Sequence, residues 1–162
     1  PLHIYTLPSA LRLFPQAKHL VILRDPRAVA LSCMLTTTNI TQFSINWLDP
    51  VNTAESYASI MESWMKMADW NLPNVHSLRY ESLVSDQEGQ TRDIAKKLDL
   101  IWDDELLNYQ EKAKSQAATS PTYEQVTRPI YNTSVEKWRH YENLLEPAMP
   151  LLEKAAEQMG YA

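Results

Sequence analysis

Glycine is nearly absent from this chain: 2 of its 162 residues, beside 10 prolines. An average composition would place about eleven glycines in this length. Glycine supplies the backbone freedom that lets a loop wrap closely around a phosphate. The two present, Gly89 and Gly160, lie in polar or terminal surroundings. Neither a GxxxxGK(S/T) loop nor a GxGxxG turn can be written with them. A self-contained P-loop enzyme and a Rossmann dehydrogenase are therefore excluded.

The length suits one domain with a real core. Net charge is −5, from 15 basic and 20 acidic residues. That balance opposes a general nucleic-acid surface but leaves room for one local anion site. Cys33 is the only cysteine, so no internal disulfide is possible. His3, His19, His76 and His140 are scattered without ligand spacing, and no metal site is expected. No apolar run approaches the length of a membrane span, and no signal peptide is visible.

Leu7, Ala10, Leu11 and Phe14 have helical spacing, and Pro15 ends that segment. His19-Leu-Val-Ile-Leu-Arg24 then reads as a strand buried on both faces, the kind that fills parallel sheets. Asp25-Pro26 follows as N-cap and first helical residue, opening a helix through Leu35. Thr36 to Asn52 reads as irregular. A long helix is expected over Ala54 to Trp70, with Tyr57, Ile60, Met61, Trp64, Met65 and Ala68 inward. Val75 to Tyr80 reads as a second strand, and Glu81 to Val84 as a turn. Helices are expected over Gln87–Leu98 and Asp103–Ala118, then an extended stretch over Thr119–Thr133. A last helical segment, Ser134 to Met159, is broken near Pro147 and Pro150. Two strands make a poor sheet. A doubly buried strand needs neighbours on both sides, so a further strand is expected before Pro1.

Three constellations suggest chemistry. Arg24 ends the first strand, and Ser32 follows eight residues later in the second turn of the helix. Both can reach one anion at the helix start, with Arg27 as a further cation, and a phosphate suits that set. The competing reading pairs Arg24 with Asp25 or a helical Glu. Arg79-Tyr80-Glu81 ends the second strand, where Tyr80 can pack on a base or simply fill the core. Arg128 to Tyr141 carries Ser134, Lys137, Trp138 and Arg139. It reads as a basic lid over an anion, or as a solvated helix with Trp138 and Tyr141 packed together.

Taken in order, these blocks resemble a known family. Val21-Ile-Leu-Arg24-Asp-Pro-Arg-Ala-Val-Ala-Leu-Ser32 resembles the 3′-phosphate-binding segment of sulfotransferases that use 3′-phosphoadenosine 5′-phosphosulfate (PAPS). Leu78-Arg-Tyr80-Glu81-Ser-Leu-Val84 is similar to their Tyr-Glu-Asp-Leu strand end. Thr119 to Arg139 is similar to the late segment of bacterial members, often joined to tetratricopeptide repeats. Protein-tyrosine sulfotransferases belong to the same wider group.

The resemblance implies a P-loop-like α/β fold, mostly helical here, with a small parallel sheet. It implies sulfuryl transfer from PAPS to an acceptor hydroxyl or amine in a scheme that requires no metal, and the acidic balance leaves no nucleic-acid partner expected. Arg24 and Ser32 match the 3′-phosphate ligands, and Tyr80 the tyrosine on the adenine side. Arg27 is a second phosphate partner, and Ser134, Lys137 and Arg139 fall in the closing segment. The family's 5′-phosphosulfate loop, its catalytic Lys or Arg and its His or Glu base have no counterpart in these residues. No catalytic residue is named, because nothing in the spacing supports Glu55 or His76. Residues 1–162 are thus expected to be the C-terminal part of one sulfotransferase domain, inactive alone, and cytoplasmic in a bacterial source. A tetratricopeptide-repeat domain is a possible companion in the full-length chain. Thr36–Asn52 and Thr119–Arg128 are the candidate acceptor loops, and the acceptor itself is not specified. Two other readings compete: a helical interaction module with a Trp64, Met65 and Trp70 surface, and a fragment of a related nucleotide kinase.

Overall fold

In a computed structural model describing residues 1–36, 40–42, 44–108 and 134–161, two strands carry the architecture. β1 is His19–Leu23 and β2 is Val75–Arg79. They pair in parallel, His19 opposite Val75 and Leu23 opposite Arg79. Parallel neighbours need a long crossover. Here α2 (Pro26–Thr36) and α3 (Pro50–Ala68) supply it. α1 (Leu7–Leu13) precedes the sheet, and α4 (Tyr80–Ser85) and α5 (Gln87–Lys97) follow it. After residue 134 come a 3₁₀ turn (Lys137–Tyr141), α6 (Glu142–Leu145), a second 3₁₀ turn (Glu146–Ala148) and α7 (Met149–Gln158). The described residues are mostly helical, with this one small parallel sheet.

Helices α2, α3 and α7 pack on one another. Tyr57, Ile60, Met61, Trp64 and Met67 of α3 join Ile4, Leu7 and Met159 in one apolar cluster. Ala28, Ala30 and Leu31 of α2 join Trp138, Leu145, Ala148 and Leu152 in a second. Val21, Leu23 and Val75 rest half-buried on the first cluster. β1 departs from the doubly buried strand expected of it. Alternate residues face the core, while Ile22 on the other face is 57% exposed. Among the described residues its only strand neighbour is β2, so its other edge has no strand beside it there, although Leu78, paired with Ile22, is buried.

α3 begins four residues earlier than its apolar stripe suggests. Asp49 is an extended N-cap whose carboxylate accepts from the Asn52 N–H at 2.9 Å, and Pro50 fills the first helical position. Asp49→Ala should therefore cost about 1 kcal/mol, within the 0.5–2 typical of lost caps. Urea denaturation reads this, and an unshifted midpoint would refute the cap. On the same helix Met67 is buried where Ala68 was expected, and Ala68 is exposed. The turn expected at Glu81–Val84 is the short helix α4.

Scarce glycine shows at the helix ends. Past α3 and α5 the left-handed backbone falls to Asn71 (φ 48°) and Asp99 (φ 57°). Asn and Asp tolerate that region better than other side chains. Past α7, Gly160 takes it at φ 71°.

The helix expected over Asp103–Ala118 begins as a 3₁₀ turn, Asp104–Asn108. Its remainder, the extended stretch Thr119–Thr133 and the acceptor-loop candidate Thr119–Arg128 lie outside the described residues. So do residues 37–39 and 43 of the earlier candidate loop. No described helix is long and apolar enough to cross a membrane.

Candidate functional site

Both strands end at the same edge because they are parallel and in register. Leu23 faces Arg79, so the next residue of each strand, Arg24 and Tyr80, emerges beside the other. The Arg24 guanidinium lies over the Tyr80 ring, 4.6 Å from its centroid. Ser134, brought in from 110 residues away, touches both. Its carbonyl accepts from Arg24 Nη2, and its hydroxyl is 2.9 Å from the Tyr80 hydroxyl. Ser32 lines the same cavity of about 630 Å³ as Arg24 and Tyr80, from the second turn of α2. Tyr57, Met61 and Trp47 form part of its apolar wall. Tyr57 donates to the Arg24 carbonyl at 3.4 Å, and burial pushes its phenol pKa well up. Burial likewise raises the Cys33 thiol.

Arg24 pairs with no carboxylate among the described residues, and its buried Nε has no hydrogen-bond partner there. A buried donor left unpaired is costly. A guanidinium so placed at a cavity wall is suited to a bidentate anion. The pairing of Arg24 with Asp25, one of the competing readings, does not form.

Arg27 takes that carboxylate instead. Its Nε and Nη2 lie 2.9 and 2.7 Å from the two Asp25 oxygens, and its N–H donates to the same side chain at 2.8 Å. The Asp25 hydrogen bond raises the Arg27 pKa further. Arg27 also lies 4.3 Å over the Trp138 ring and lines a separate cavity with Glu153, Lys154, Glu157 and Tyr161. The structure thus does not bring the expected second phosphate partner into the Arg24 cavity. Lys137 and Arg139 are exposed, and Arg139 stacks 4.8 Å from the same Trp138 ring. Neither lines the Arg24 cavity. Glu55 is exposed, and His76 lies within β2, away from the cavity lining. Trp64 is buried at 6% exposure, which removes it from the surface an interaction module would use.

Sequence reasoning assigned no role to Glu81, although it is fixed in the same turn. Glu81 Oε1 accepts the Asp25 N–H at 3.0 Å, and Oε2 accepts the Tyr161 hydroxyl at 3.1 Å. Its position one residue past Tyr80 was the available signal.

A model described as the sulfotransferase family matches residues 1–104. The chain is 30% identical over 142 residues to protein-tyrosine sulfotransferase A of Caenorhabditis elegans, covering 83% of this chain and 37% of that one. It is 27% identical over 141 residues to protein-tyrosine sulfotransferase of Drosophila melanogaster, with coverages of 79% and 26%. An uncharacterized protein of Aquifex aeolicus (strain VF5) is 29% identical over 155 residues, 92% of this chain and 19% of that protein. The chain therefore spans well under half the length of each of these relatives. With its strand-end arginine, following helix and adjacent strand-end tyrosine inside the matched segment, the chain belongs to the sulfotransferase family.

Proposed function

We propose that these residues form the 3′-phosphate and adenine side of the PAPS site of a sulfotransferase with a P-loop-like fold. The observation that carries this is Arg24: a half-buried guanidinium at a cavity wall that, among the described residues, has no carboxylate partner and an unpartnered Nε. Arg24 and Ser32 take the 3′-phosphate, near the N-terminus of α2, whose dipole favours an anion. Tyr80, already stacked under Arg24, meets the adenine side. Ser134 closes over both through its contacts with Arg24 and Tyr80. Lys137 and Arg139 add positive charge in the same late segment.

PAPS supplies the sulfuryl group, which an acceptor hydroxyl or amine takes up as 3′,5′-ADP leaves. The residues described here bind and orient the nucleotide, and positioning of that kind is a large share of catalysis in group transfer. Two relatives are named for protein tyrosine, so a tyrosine hydroxyl in a peptide is the first acceptor to assay.

The test is calorimetric titration of the intact protein with 3′,5′-ADP and with 5′-AMP, which lacks the 3′-phosphate. One charge-assisted pair contributes about 1.5–3 kcal/mol. The expected preference for 3′,5′-ADP is therefore at least about tenfold. Equal affinities for the two nucleotides would overturn the assignment.

A further inference from the structure

We infer that Glu81 is a positioning residue of this site, holding the Arg24–Asp25 turn in place and anchored in turn by Tyr161. The inference rests on the reading of Arg24 given above and adds to it the group that aims the arginine.

In the turn between β1 and α2 the Arg24 carbonyl is held by a long bond from the Tyr57 hydroxyl at 3.4 Å. Pro26 has no N–H, and the Asp25 side chain is engaged in capping α2 and pairing Arg27. The Asp25 backbone N–H, the first donor beyond Arg24, points at Glu81 Oε1. A carboxylate accepting a backbone N–H makes a charge-assisted bond, roughly twice as strong as a neutral one. With the longer Tyr57 bond on its carbonyl side, this bond holds the peptide plane that joins Arg24 to Asp25, and so the direction in which the Arg24 side chain leaves the backbone. It also ties the end of β1 to the start of α4, keeping Arg24 beside Tyr80.

Glu81 is itself held. Its other oxygen accepts the Tyr161 hydroxyl. Tyr161 is placed by the end of α7, where its N–H bonds to the Ala156 carbonyl at 2.8 Å and the Gly160 N–H to Glu157 at 2.9 Å. That paired closure of a helix end requires the left-handed backbone of Gly160. Arg79 completes the clamp. It stacks 4.3 Å over the Tyr161 ring and donates to the Met159 carbonyl at 2.6 Å. A Cβ added at Gly160 would sit 3.0 Å from Arg79 Nη2. Burial and the neighbouring Glu81 charge raise the Tyr161 pKa, so its hydroxyl keeps its proton for this bond.

A positioning role differs from general support of the fold in what it changes. Misplacing Arg24 weakens recognition of the 3′-phosphate and leaves the rest of the nucleotide untouched. The experiment titrates the intact wild-type protein, Glu81→Ala, Glu81→Gln, Tyr161→Phe and Arg24→Ala with 3′,5′-ADP and 5′-AMP. Glu81→Ala is expected to lose about tenfold in 3′,5′-ADP affinity and less than about twofold for 5′-AMP. Glu81→Gln keeps an acceptor oxygen for the Asp25 N–H and should restore most of the loss. Tyr161→Phe removes one hydroxyl with the ring retained, and should lose about threefold, again only for 3′,5′-ADP. It supplies the reading if Glu81→Ala fails to fold. Equal losses for both nucleotides, an unchanged Glu81→Ala, or a Glu81→Gln as weak as Glu81→Ala overturns the inference. If Arg24→Ala leaves the preference intact, the reading of Arg24 itself is overturned. If Arg24→Ala abolishes the preference while Glu81→Ala keeps it, only the role of Glu81 falls.

Discussion

Arg24→Ala is expected to erase most of the preference for 3′,5′-ADP over 5′-AMP, a loss of about 10- to 150-fold. The size follows from the geometry. Among the described residues Arg24 has no carboxylate to leave behind, so its charge is available to the ligand. Arg24→Lys should fall between, because an ammonium keeps the charge and loses the fork. Arg27→Ala is the informative contrast. Its guanidinium neutralises Asp25, which is 8% exposed, so its removal strands a buried carboxylate. That variant should lose stability, with the nucleotide preference largely kept. Calorimetric titration beside thermal melts separates the two outcomes. A collapse of preference in Arg27→Ala with preference kept in Arg24→Ala would reverse the assignment of the two arginines.

The second large effect concerns two tryptophans. Trp138 is 4% exposed, packs in the cluster with Leu31, Leu145 and Leu152, and has Arg27 and Arg139 over its ring. Trp138→Ala should cost about 3–5 kcal/mol, as large core truncations do. For a domain of this size that lowers the melting temperature by roughly 6–20 °C. Trp70, 59% exposed just past α3, should change stability by no more than about 0.5 kcal/mol when truncated. Denaturant unfolding of both variants makes the comparison, and similar losses would contradict the burial of Trp138.

Much of this was legible before the structure. The strand-turn-helix unit at His19–Thr36 follows from an apolar run, an Asp-Pro start and helical spacing. Arg24, Ser32 and Tyr80 could be named from their places at strand ends and in a helical turn, and all three line one cavity. The same Asp-Pro signal recurs at Asp49-Pro50 and marks the start of α3. Its apolar stripe begins later, which is why the stripe alone placed the start at Ala54. Other features depend on partners that spacing does not reveal. Which arginine takes Asp25 is settled by local geometry at the N-cap, where Arg27 lies two residues along and Arg24 points back over Tyr80. The exposure of Ile22 depends on what covers the sheet, which an apolar run does not encode. Glu81 was invisible as a functional group because its partners, Asp25 and Tyr161, lie 56 and 80 residues away.

Those separations also bear on the order in which the molecule is made. As synthesis proceeds from the N-terminus, β1 can find β2 once residue 79 has emerged. The edge that carries Arg24 and Tyr80 must wait longer. Arg24 meets Ser134 only after another 55 residues, and Glu81 meets Tyr161 later still. A nascent chain halted before α7 would hold a paired sheet with Glu81 not yet anchored by Tyr161, so the contact proposed to aim Arg24 is completed well after the sheet itself.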